Sequence, residues 1–231
     1  MGMSMIQRVY TQAKKSNLLS DLIVATDDVR IYDHVISFGG KAIMTNKNHE
    51  SGTSRCGEVI EKMKARLIEP LGQGFDVVIN IQGDEPLIKP EQIDEVLNLF
   101  LDEKIEIGTV VKKITDTSDI ANENRIKVVL DHAKNAIYFS RSAIPYVQWK
   151  LMAKQPDTIP YFKHIGIYAW RISCLEKLLK LPETELEKLE SLEQLRWLFY
   201  GYKIATVETQ TETPNVDVPE DIAKVIAALN G

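Results

Sequence analysis

The chain has 231 residues, of which 44% are hydrophobic and 26% are charged, and its formal net charge is −5. This length suffices for one large α/β domain with a sizeable core, and the acidic balance argues against a protein held to nucleic acid by bulk charge. Cys56 and Cys174 form no CxxC pair, so neither a disulfide framework nor a zinc site is predicted. Because the sequence shows neither a membrane-length apolar run nor a signal peptide, we expect a cytoplasmic protein without membrane insertion.

The first hundred residues alternate between helix and strand patterns. Ser4 caps the first helical pattern, and short apolar runs between helical patterns predict the strands. The predicted elements are helix 6–13, strand 21–26, helix 31–38, strand 41–44, helix 53–67, strand 76–81 and helix 90–100. The β-branched run 76–81 is typical of a parallel strand covered on both faces. The alternation predicts a doubly wound, mostly parallel (mixed) sheet.

The pattern changes after residue 107. Further strand-like runs lie at 108–114, 126–130, 136–140, 162–170 and 202–208. Residues 131–135 are typical of a hairpin between two of these strands. A stripe formed by Leu189, Leu192, Leu195 and Phe199 predicts one helix over 186–200, and Pro219 predicts a closing helix over 219–229. We therefore predict a single α/β domain, residues 1–231, with a β-rich inserted lobe at about 108–170.

Polar residues lie where predicted strands end or helices begin. Asp84 follows strand 76–81 in the turn QGDEP, where a carboxylate can hold a divalent metal against phosphate, although a plain turn explains it as well. Ser51, Thr53 and Arg55 open helix 53–67, where backbone N–H groups favour an anion, although a capped helix with a solvated arginine fits equally. Asp217 precedes a proline-initiated helix, and a helix cap is its simpler interpretation.

The second half adds further polar candidates. Arg141 follows strand 136–140. His164 and Tyr168 are predicted on one face of strand 162–170, together with Gly166, although a single strand histidine is more often structural. Glu193 and Gln194 lie between leucines of the predicted helix, where a solvated polar face is the simpler interpretation.

Seven segments of the chain resemble one family. They are VINIQGDEPLI, HESGTSR, RIKVVLD, IYFSRSAIPY, FKHIGIYAWR, LEKLESLEQLRWL and NVDVPED. From about residue 5 to about residue 229, the chain is similar to the 3-deoxy-manno-octulosonate (Kdo) cytidylyltransferases. QGDEP and SGTxR also occur in neighbouring nucleotidyltransferases, whereas LEQLRWL is more specific to the Kdo enzymes. The resemblance implies a fold of the nucleotide-diphospho-sugar transferase type. It also implies the reaction CTP + Kdo → CMP-Kdo + pyrophosphate in lipopolysaccharide biosynthesis, and a homodimer with contacts in the β-rich lobe.

The resemblance also implies roles for these candidates. Asp84 and Asp217 would be the catalytic carboxylates that hold Mg²⁺, and Ser51, Thr53 and Arg55 would face the cytidine nucleotide. The sugar pocket would be lined by Gln82, Arg141, His164, Tyr168, Glu193 and Gln194. Arg141 suits the Kdo carboxylate because a guanidinium can bind it through two parallel hydrogen bonds.

The sequence departs from the family pattern in one respect. Family members begin with a buried strand and an I-P-A-R-x-x-S-x-R-x-x-G-K loop, and the 231 residues contain no counterpart. We therefore expect an empty central strand position, and poor CTP binding or slow turnover in the 231-residue chain. A longer natural protein and a short paralogue both fit this departure, and the intact site motifs favour the longer protein.

Other functions stay open at this point. They are a cytidylyltransferase for another acidic sugar, such as 8-amino-Kdo or a sialic acid, and a catalytically impaired sugar-acid-binding paralogue.

Overall fold

The structure is a computed structural model that describes residues 2–66, 75–148, 161–211, 216, 222 and 225–227. The described strands are Val24–Thr26 (β1), Ala42–Met44 (β2), Val77–Asn80 (β3), Ile107–Lys113 (β4), Lys127–Leu130 (β5), Ala136–Ser140 (β6), Phe162–Arg171 (β7) and Ala205–Glu208 (β8). The described helices are Met5–Ala13 (α1), Val29–Ser37 (α2), Gly52–Arg66 (α3), Pro90–Asn98 (α4), Ser118–Ala121 (α5), Ile172–Leu178 (α6), Glu185–Glu190 (α7) and Gln194–Phe199 (α8). A 3-10 turn, Leu99–Leu101, follows α4.

The first half of the chain brings strand ends together at the start of α3. β1 and β2 are parallel, with Val24 opposite Ala42. Arg55, in the first turn of α3, pairs with Asp27 just beyond β1. Gly52 lies close to the end of β3, where a Cβ would be 2.4 Å from the side-chain amide nitrogen of Asn80, so a larger residue would require the Asn80 side chain to move. The carboxyl ends of β1 and β3 therefore both lie at the start of α3.

β7 is the central strand of a six-stranded sheet. The strand order is β6-β5-β7-β4-β8, and β3 also pairs with β7. β4 and β8 are parallel, whereas β7 runs antiparallel to β3, β4 and β5. The predicted mixed α/β fold is confirmed. Antiparallel pairs outnumber parallel ones among the described strands, because β5 and β6 form the predicted hairpin and β7 runs against three neighbours.

The six-stranded sheet is covered on both faces, as a doubly wound fold requires. On β4, Ile107 and Val111 pack into one apolar cluster, and Val110 packs into another. The first cluster contains buried residues of α6 and α8, and the second contains those of α1 and α4. Within the described residues, no helix combines the length and apolar composition that crossing a membrane requires.

The predicted helix over 186–200 is wrong, because two helices, α7 and α8, occupy that stretch. The chain breaks at Ser191, whose φ of 51° is left-handed. The break turns Leu189 and Phe199 outward, to 79% and 61% exposure, while Leu192 stays buried. The sequence analysis also missed α5 and α6, and the predicted closing helix over 219–229 lies largely outside the described residues.

The predicted full burial of strand 76–81 is also wrong. Every residue of β3 is only half-buried, because its edge away from β7 faces an opening of about 600 Å³ that separates it from β1. We call this opening the slot. Its walls include residues of α1, α3, β1 and β3. The expected empty strand position is therefore present in the described structure.

Candidate functional site

The loop after β3 meets a segment from the far end of the chain. The backbone N–H of Val216 donates a hydrogen bond of 3.0 Å to the carbonyl oxygen of Asp84. Gln82, in the same loop, donates from Nε2 to the carbonyl oxygen of Gly166 in β7, at 3.2 Å. Asp217 itself lies outside the described residues, but its neighbour Val216 is held directly against the Asp84 loop.

This arrangement suits a hard divalent cation. Carboxylate oxygens such as those of Asp84 and Asp217 are ligands that Mg²⁺ prefers. Within the described residues, no group of three or more His, Cys, Asp or Glu side chains could hold a metal ion. Val216, the neighbour of Asp217, is hydrogen-bonded to the loop that carries Asp84.

Glu193 joins the start of α3 to the start of α8. Ser51 Oγ donates to one carboxylate oxygen of Glu193 at 3.0 Å, and Thr53 Oγ1 donates to the other at 2.6 Å. Burial raises the pKa of the Glu193 carboxyl, and the two hydroxyl groups act against this effect. The side chain is therefore fixed between two predicted nucleotide-facing residues rather than lying on a solvated helix face. The adjacent Gln194 is buried.

Arg55 is held at the ends of two strands. One guanidinium nitrogen donates to Thr45 Oγ1 at 2.6 Å and lies 3.1 Å from a carboxylate oxygen of Asp27. The sequence analysis did not include Asp27 or Thr45 among the candidates. Their positions immediately after predicted strands 21–26 and 41–44 were the available signal, because polar residues that follow parallel strands gather at the binding edge.

His164 is held as a neutral ring. Thr109 Oγ1 donates to the carbonyl oxygen of Ile167 at 2.6 Å and lies 2.9 Å from His164 Nε2. Because the single hydroxyl hydrogen goes to the carbonyl, the His164 Nε2–H must be the donor to Thr109, and Nδ1 is left as an acceptor. Burial lowers the pKa of His164 to about 3. Thr109 was missed because a threonine within a strand carries no site signal in the sequence.

Tyr168 lies beside His164, with their ring centroids 4.9 Å apart. The pairing of β7 with β4 passes from Ile165 to Tyr168 and skips Gly166 and Ile167, and His164 and Tyr168 lie on one face of β7 as predicted. The Tyr168 hydroxyl is buried and has no hydrogen-bond partner within the described part of the chain. Burial, followed by the nearby Glu193 charge, raises the pKa of this phenol well above its ordinary value.

Arg141 is anchored to the break between α7 and α8. Its Nε donates to the Glu190 carbonyl oxygen at 2.8 Å, and its backbone N–H donates to the Glu190 carboxylate at 2.9 Å. A guanidinium nitrogen also donates to the Glu123 carbonyl oxygen at 3.2 Å. Lys127, which is fully buried, donates to the Arg141 carbonyl oxygen. The guanidinium is thus oriented on two sides, and it retains further N–H donors for a ligand.

The structure brings most of the predicted residues into one connected set. Gln82 contacts β7 at Gly166, His164 and Tyr168 lie on β7, and Tyr168 is close enough to Glu193 for that charge to affect its pKa. Arg141 is hydrogen-bonded to Glu190, which lies three residues before Glu193 in the chain. The set combines a helix start that favours anions, a carboxylate loop suited to a metal, and hydrogen-bonding groups suited to a hydroxylated ligand.

The comparisons with known proteins agree on one family. The chain matches the cytidylyltransferase family model over residues 1–204. It is 45% identical over 232 residues to a 3-deoxy-manno-octulosonate cytidylyltransferase of Parabacteroides distasonis, covering 99% of this chain and 88% of that protein. It is 48% identical over 226 residues to the protein of the same name from Fusobacterium nucleatum, covering 97% and 86%.

Solved structures show the same relationship. A CMP:2-keto-3-deoxy-manno-octonic acid synthetase complexed with CTP has a TM-score of 0.87 and 39% identity, covering all of this chain and 89% of that one. A 4-diphosphocytidyl-2C-methyl-D-erythritol synthase from Anaerococcus prevotii has a TM-score of 0.60 at 14% identity, covering all of this chain and 87% of that one, and it shows the shared fold alone.

The neutral His164 ring predicts a specific loss of stability in acid. Its pKa is about 3 in the folded chain and about 6.5 when unfolded, so below pH 6.5 the unfolded state takes up the proton first. We expect protonation of this group alone to lower the free energy of unfolding by about 2 kcal/mol at pH 5. The measurement is urea unfolding at pH 7.5 and pH 5 for the wild type and His164→Gln.

The variant should lose about 2 kcal/mol less than the wild type between the two pH values. His132→Gln, on the exposed hairpin turn, controls for the removal of a histidine as such. An unchanged pH dependence in His164→Gln would show that the ring is not held neutral.

Proposed function

This chain belongs to the cytidylyltransferase family, and we propose that it transfers CMP from CTP to the anomeric hydroxyl of Kdo, with release of pyrophosphate. The relatives at 45% and 48% identity carry the name of that activity, and the similar solved structure is of a complex with CTP. The observation that carries the proposal is the Glu193 bridge to Ser51 and Thr53. It links the helix start suited to a nucleotide with the pocket suited to an acidic sugar.

The nucleotide half is proposed at the start of α3. Backbone N–H groups in the first turn of a helix are unpaired and carry a partial positive charge, which favours phosphate. Thr53 lies in this turn, and Ser51 precedes it and accepts from the Ser54 N–H at 3.2 Å. Arg55 is oriented there by Thr45 and Asp27. These residues would bind the nucleotide and hold it still, which phosphoryl transfer needs more than covalent chemistry.

The cofactor of the proposed reaction is Mg²⁺, held by Asp84 and Asp217. The hydrogen bond from Val216 to Asp84 supports this pairing, because it joins the two segments that carry the carboxylates. When bound, the ion would neutralise phosphate charge and lower the pKa of a coordinated hydroxyl. Asp84 and Asp217 would then be the catalytic residues of the chain.

The sugar half is proposed beside β7 and the break between α7 and α8. Arg141 would bind the Kdo carboxylate, because its guanidinium is already oriented by Glu190 and Glu123. His164, through its acceptor nitrogen, and Tyr168, through its unpartnered hydroxyl, suit the sugar hydroxyl groups. Gln82, Glu193 and Gln194 complete the proposed lining. In the transfer, the anomeric hydroxyl gives up its proton to solvent water as its oxygen bonds to the α-phosphorus, the bond to the pyrophosphate oxygen breaks, and pyrophosphate leaves in line.

The proposal also covers the oligomeric state, the cellular location and the pathway. A homodimer through the β-rich lobe is supported by exposed apolar side chains there, such as Ile137 and Tyr146, because exposed apolar groups favour contact surfaces when they cluster. We place the protein in the cytoplasm, where CTP is made, and assign the product to lipopolysaccharide biosynthesis.

Pyrophosphate release from CTP tests the function directly. The 231-residue chain, and a version that also carries a relative's first strand and loop, are each assayed with Kdo, 8-amino-Kdo and a sialic acid. We expect the highest kcat/KM with Kdo in any version that turns over. Faster release with another sugar acid would correct the substrate, and Kdo binding without release in both versions would correct the activity.

The proposed metal site predicts the effect of removing either carboxylate. In the active version of the protein, Asp84→Ala and Asp217→Ala should each lower kcat at least about a hundredfold, because neither remaining carboxylate holds the ion alone. Glu103→Ala, at an exposed carboxylate away from the site, is the matched control. Steady-state kinetics across a Mg²⁺ titration, with unfolding curves for each variant, measure the effect. Near-normal turnover in either variant would remove that residue from the metal site.

The proposed role of Arg141 predicts a selective effect on one substrate. Arg141→Lys keeps the positive charge but cannot make two parallel hydrogen bonds to a carboxylate. KM for Kdo should therefore rise about tenfold or more, while KM for CTP changes little. Equal increases for the two substrates would show that Arg141 does not bind the sugar carboxylate.

A further inference from the structure

Lys127, on β5, is fully buried, although lysine is rarely found in a protein interior. Its ammonium group donates hydrogen bonds to two backbone carbonyl oxygens, those of Asn122 and Arg141. Among the residues that the structure describes, it has no ion-pair partner. Burial lowers the pKa of this ammonium group, and the nearby charge of Glu190 acts against that effect. Burying a charge without a contacting counter-charge costs folding free energy.

The neighbours of Lys127 in the sheet add to this cost. Lys127 is opposite Lys163 of β7, and Lys163 is opposite Lys112 of β4, so three lysines lie side by side on one face of the sheet. Like charges directly opposite each other destabilise a sheet. Lys163 lies 2.8 Å from a carboxylate oxygen of Asp119, whereas Lys127 contacts carbonyl oxygens. Because an uncharged residue of similar length would avoid both costs, the two hydrogen bonds are the feature that sets Lys127 apart.

These two hydrogen bonds close a ring around Arg141. Asn122 is followed in the chain by Glu123, whose carbonyl oxygen accepts from the Arg141 guanidinium at 3.2 Å. Lys127 joins the Asn122 carbonyl oxygen, at 2.7 Å, to the carbonyl oxygen of Arg141 itself. The backbone carbonyl and the guanidinium of Arg141 are thus both connected to one loop. The members of such a ring hold one another more firmly than a single bond would.

Glu190 holds the other side of Arg141. Its carbonyl oxygen accepts from Arg141 Nε, and its carboxylate accepts from the Arg141 N–H and from Ser140 Oγ. The Glu190 contacts fix the guanidinium at Nε, whereas the ring through Lys127 fixes the loop that accepts from a terminal nitrogen. Together they hold the guanidinium at two of its three nitrogens.

Lys127 is connected to the sugar site through Arg141. We propose that Lys127 is a positioning residue, which orients the Arg141 guanidinium for the carboxylate of an acidic sugar without touching the sugar. The inference rests on the proposed function, because that function assigns the sugar carboxylate to Arg141. Two parallel hydrogen bonds between a guanidinium and a carboxylate require a defined plane. Loss of the ring should therefore weaken sugar binding even though Arg141 is still present.

Steady-state kinetics in the active version of the protein test this role. Lys127→Met removes the ammonium group at similar volume, and it should raise KM for Kdo about fivefold or more while KM for CTP changes less than about twofold. In an Arg141→Lys background, the same substitution should raise KM for Kdo less than about twofold, because Lys127 acts through Arg141. Lys112→Met is the matched control. Lys112 lies on the same face and donates to the Gln210 carbonyl oxygen, and its loss should leave both KM values unchanged.

A second measurement needs no substrate. The Arg141 Nε–H gives a signal of its own in 15N-resolved NMR spectra, identified by its absence in Arg141→Lys, and its hydrogen bond to Glu190 slows exchange with water. In Lys127→Met, this exchange should be at least about threefold faster than in the wild type and in Lys112→Met. Urea unfolding curves check that each variant is folded. Lys127→Gln, whose side chain is shorter and uncharged, should give the same change and replaces Lys127→Met if that variant does not fold.

Three results would overturn the inference. They are unchanged Arg141 Nε–H exchange in the Lys127 variants, equal increases of the two KM values in Lys127→Met, and an undiminished effect of Lys127→Met in the Arg141→Lys background. Failure of the proposed function would be seen differently, as absence of Kdo turnover in the wild type. The exchange measurement would still test whether Lys127 orients Arg141.

Discussion

The pairing of β7 on both edges is the constraint on which the described fold depends. It meets β4 along one edge and β3 and β5 along the other, and its side chains enter the apolar clusters on both faces. Trp170 is fully buried and packs against Trp197 of α8, with ring centroids 5.8 Å apart. A one-residue slip of this strand would exchange the two faces. His164 and Tyr168 belong to β7, so the pairing of this strand on both edges fixes their positions.

Burying a carboxylate costs folding free energy, and the contacts of Glu193 show what the fold gains in return. Burial raises the pKa of Glu193, and the hydroxyl groups of Ser51 and Thr53 offset part of that cost. The left-handed Ser191 redirects the chain so that Glu193 reaches them. This polar bridge fixes the start of α3 relative to α8, which an apolar contact would do with less directional precision.

The sequence was sufficient to predict those elements that are determined by local residue patterns. Periodicity and caps predicted β1 to β8, and the Ser4 cap of α1 is present as a hydrogen bond to the Gln7 N–H. The leucine stripe did not predict the break between α7 and α8. Serine has no preference for the left-handed conformation like that of glycine, so Ser191 gives no sign of the break in the sequence. Family motifs identified Glu193 and Arg141, but not their supports. Thr109, Asp27 and Glu190 act through tertiary contacts, which leave no pattern in a single sequence.

The charge balance at the proposed nucleotide site explains why the proposed reaction includes a cation. A triphosphate carries about four negative charges, which need compensation in a partly dry site. The start of α3 supplies about half a positive charge, and the charge of Arg55 is shared with Asp27 at 3.1 Å. A divalent cation at the proposed Asp84–Asp217 site would supply further positive charge, and the Val216–Asp84 hydrogen bond supports that site because it holds the neighbour of Asp217 against the Asp84 loop.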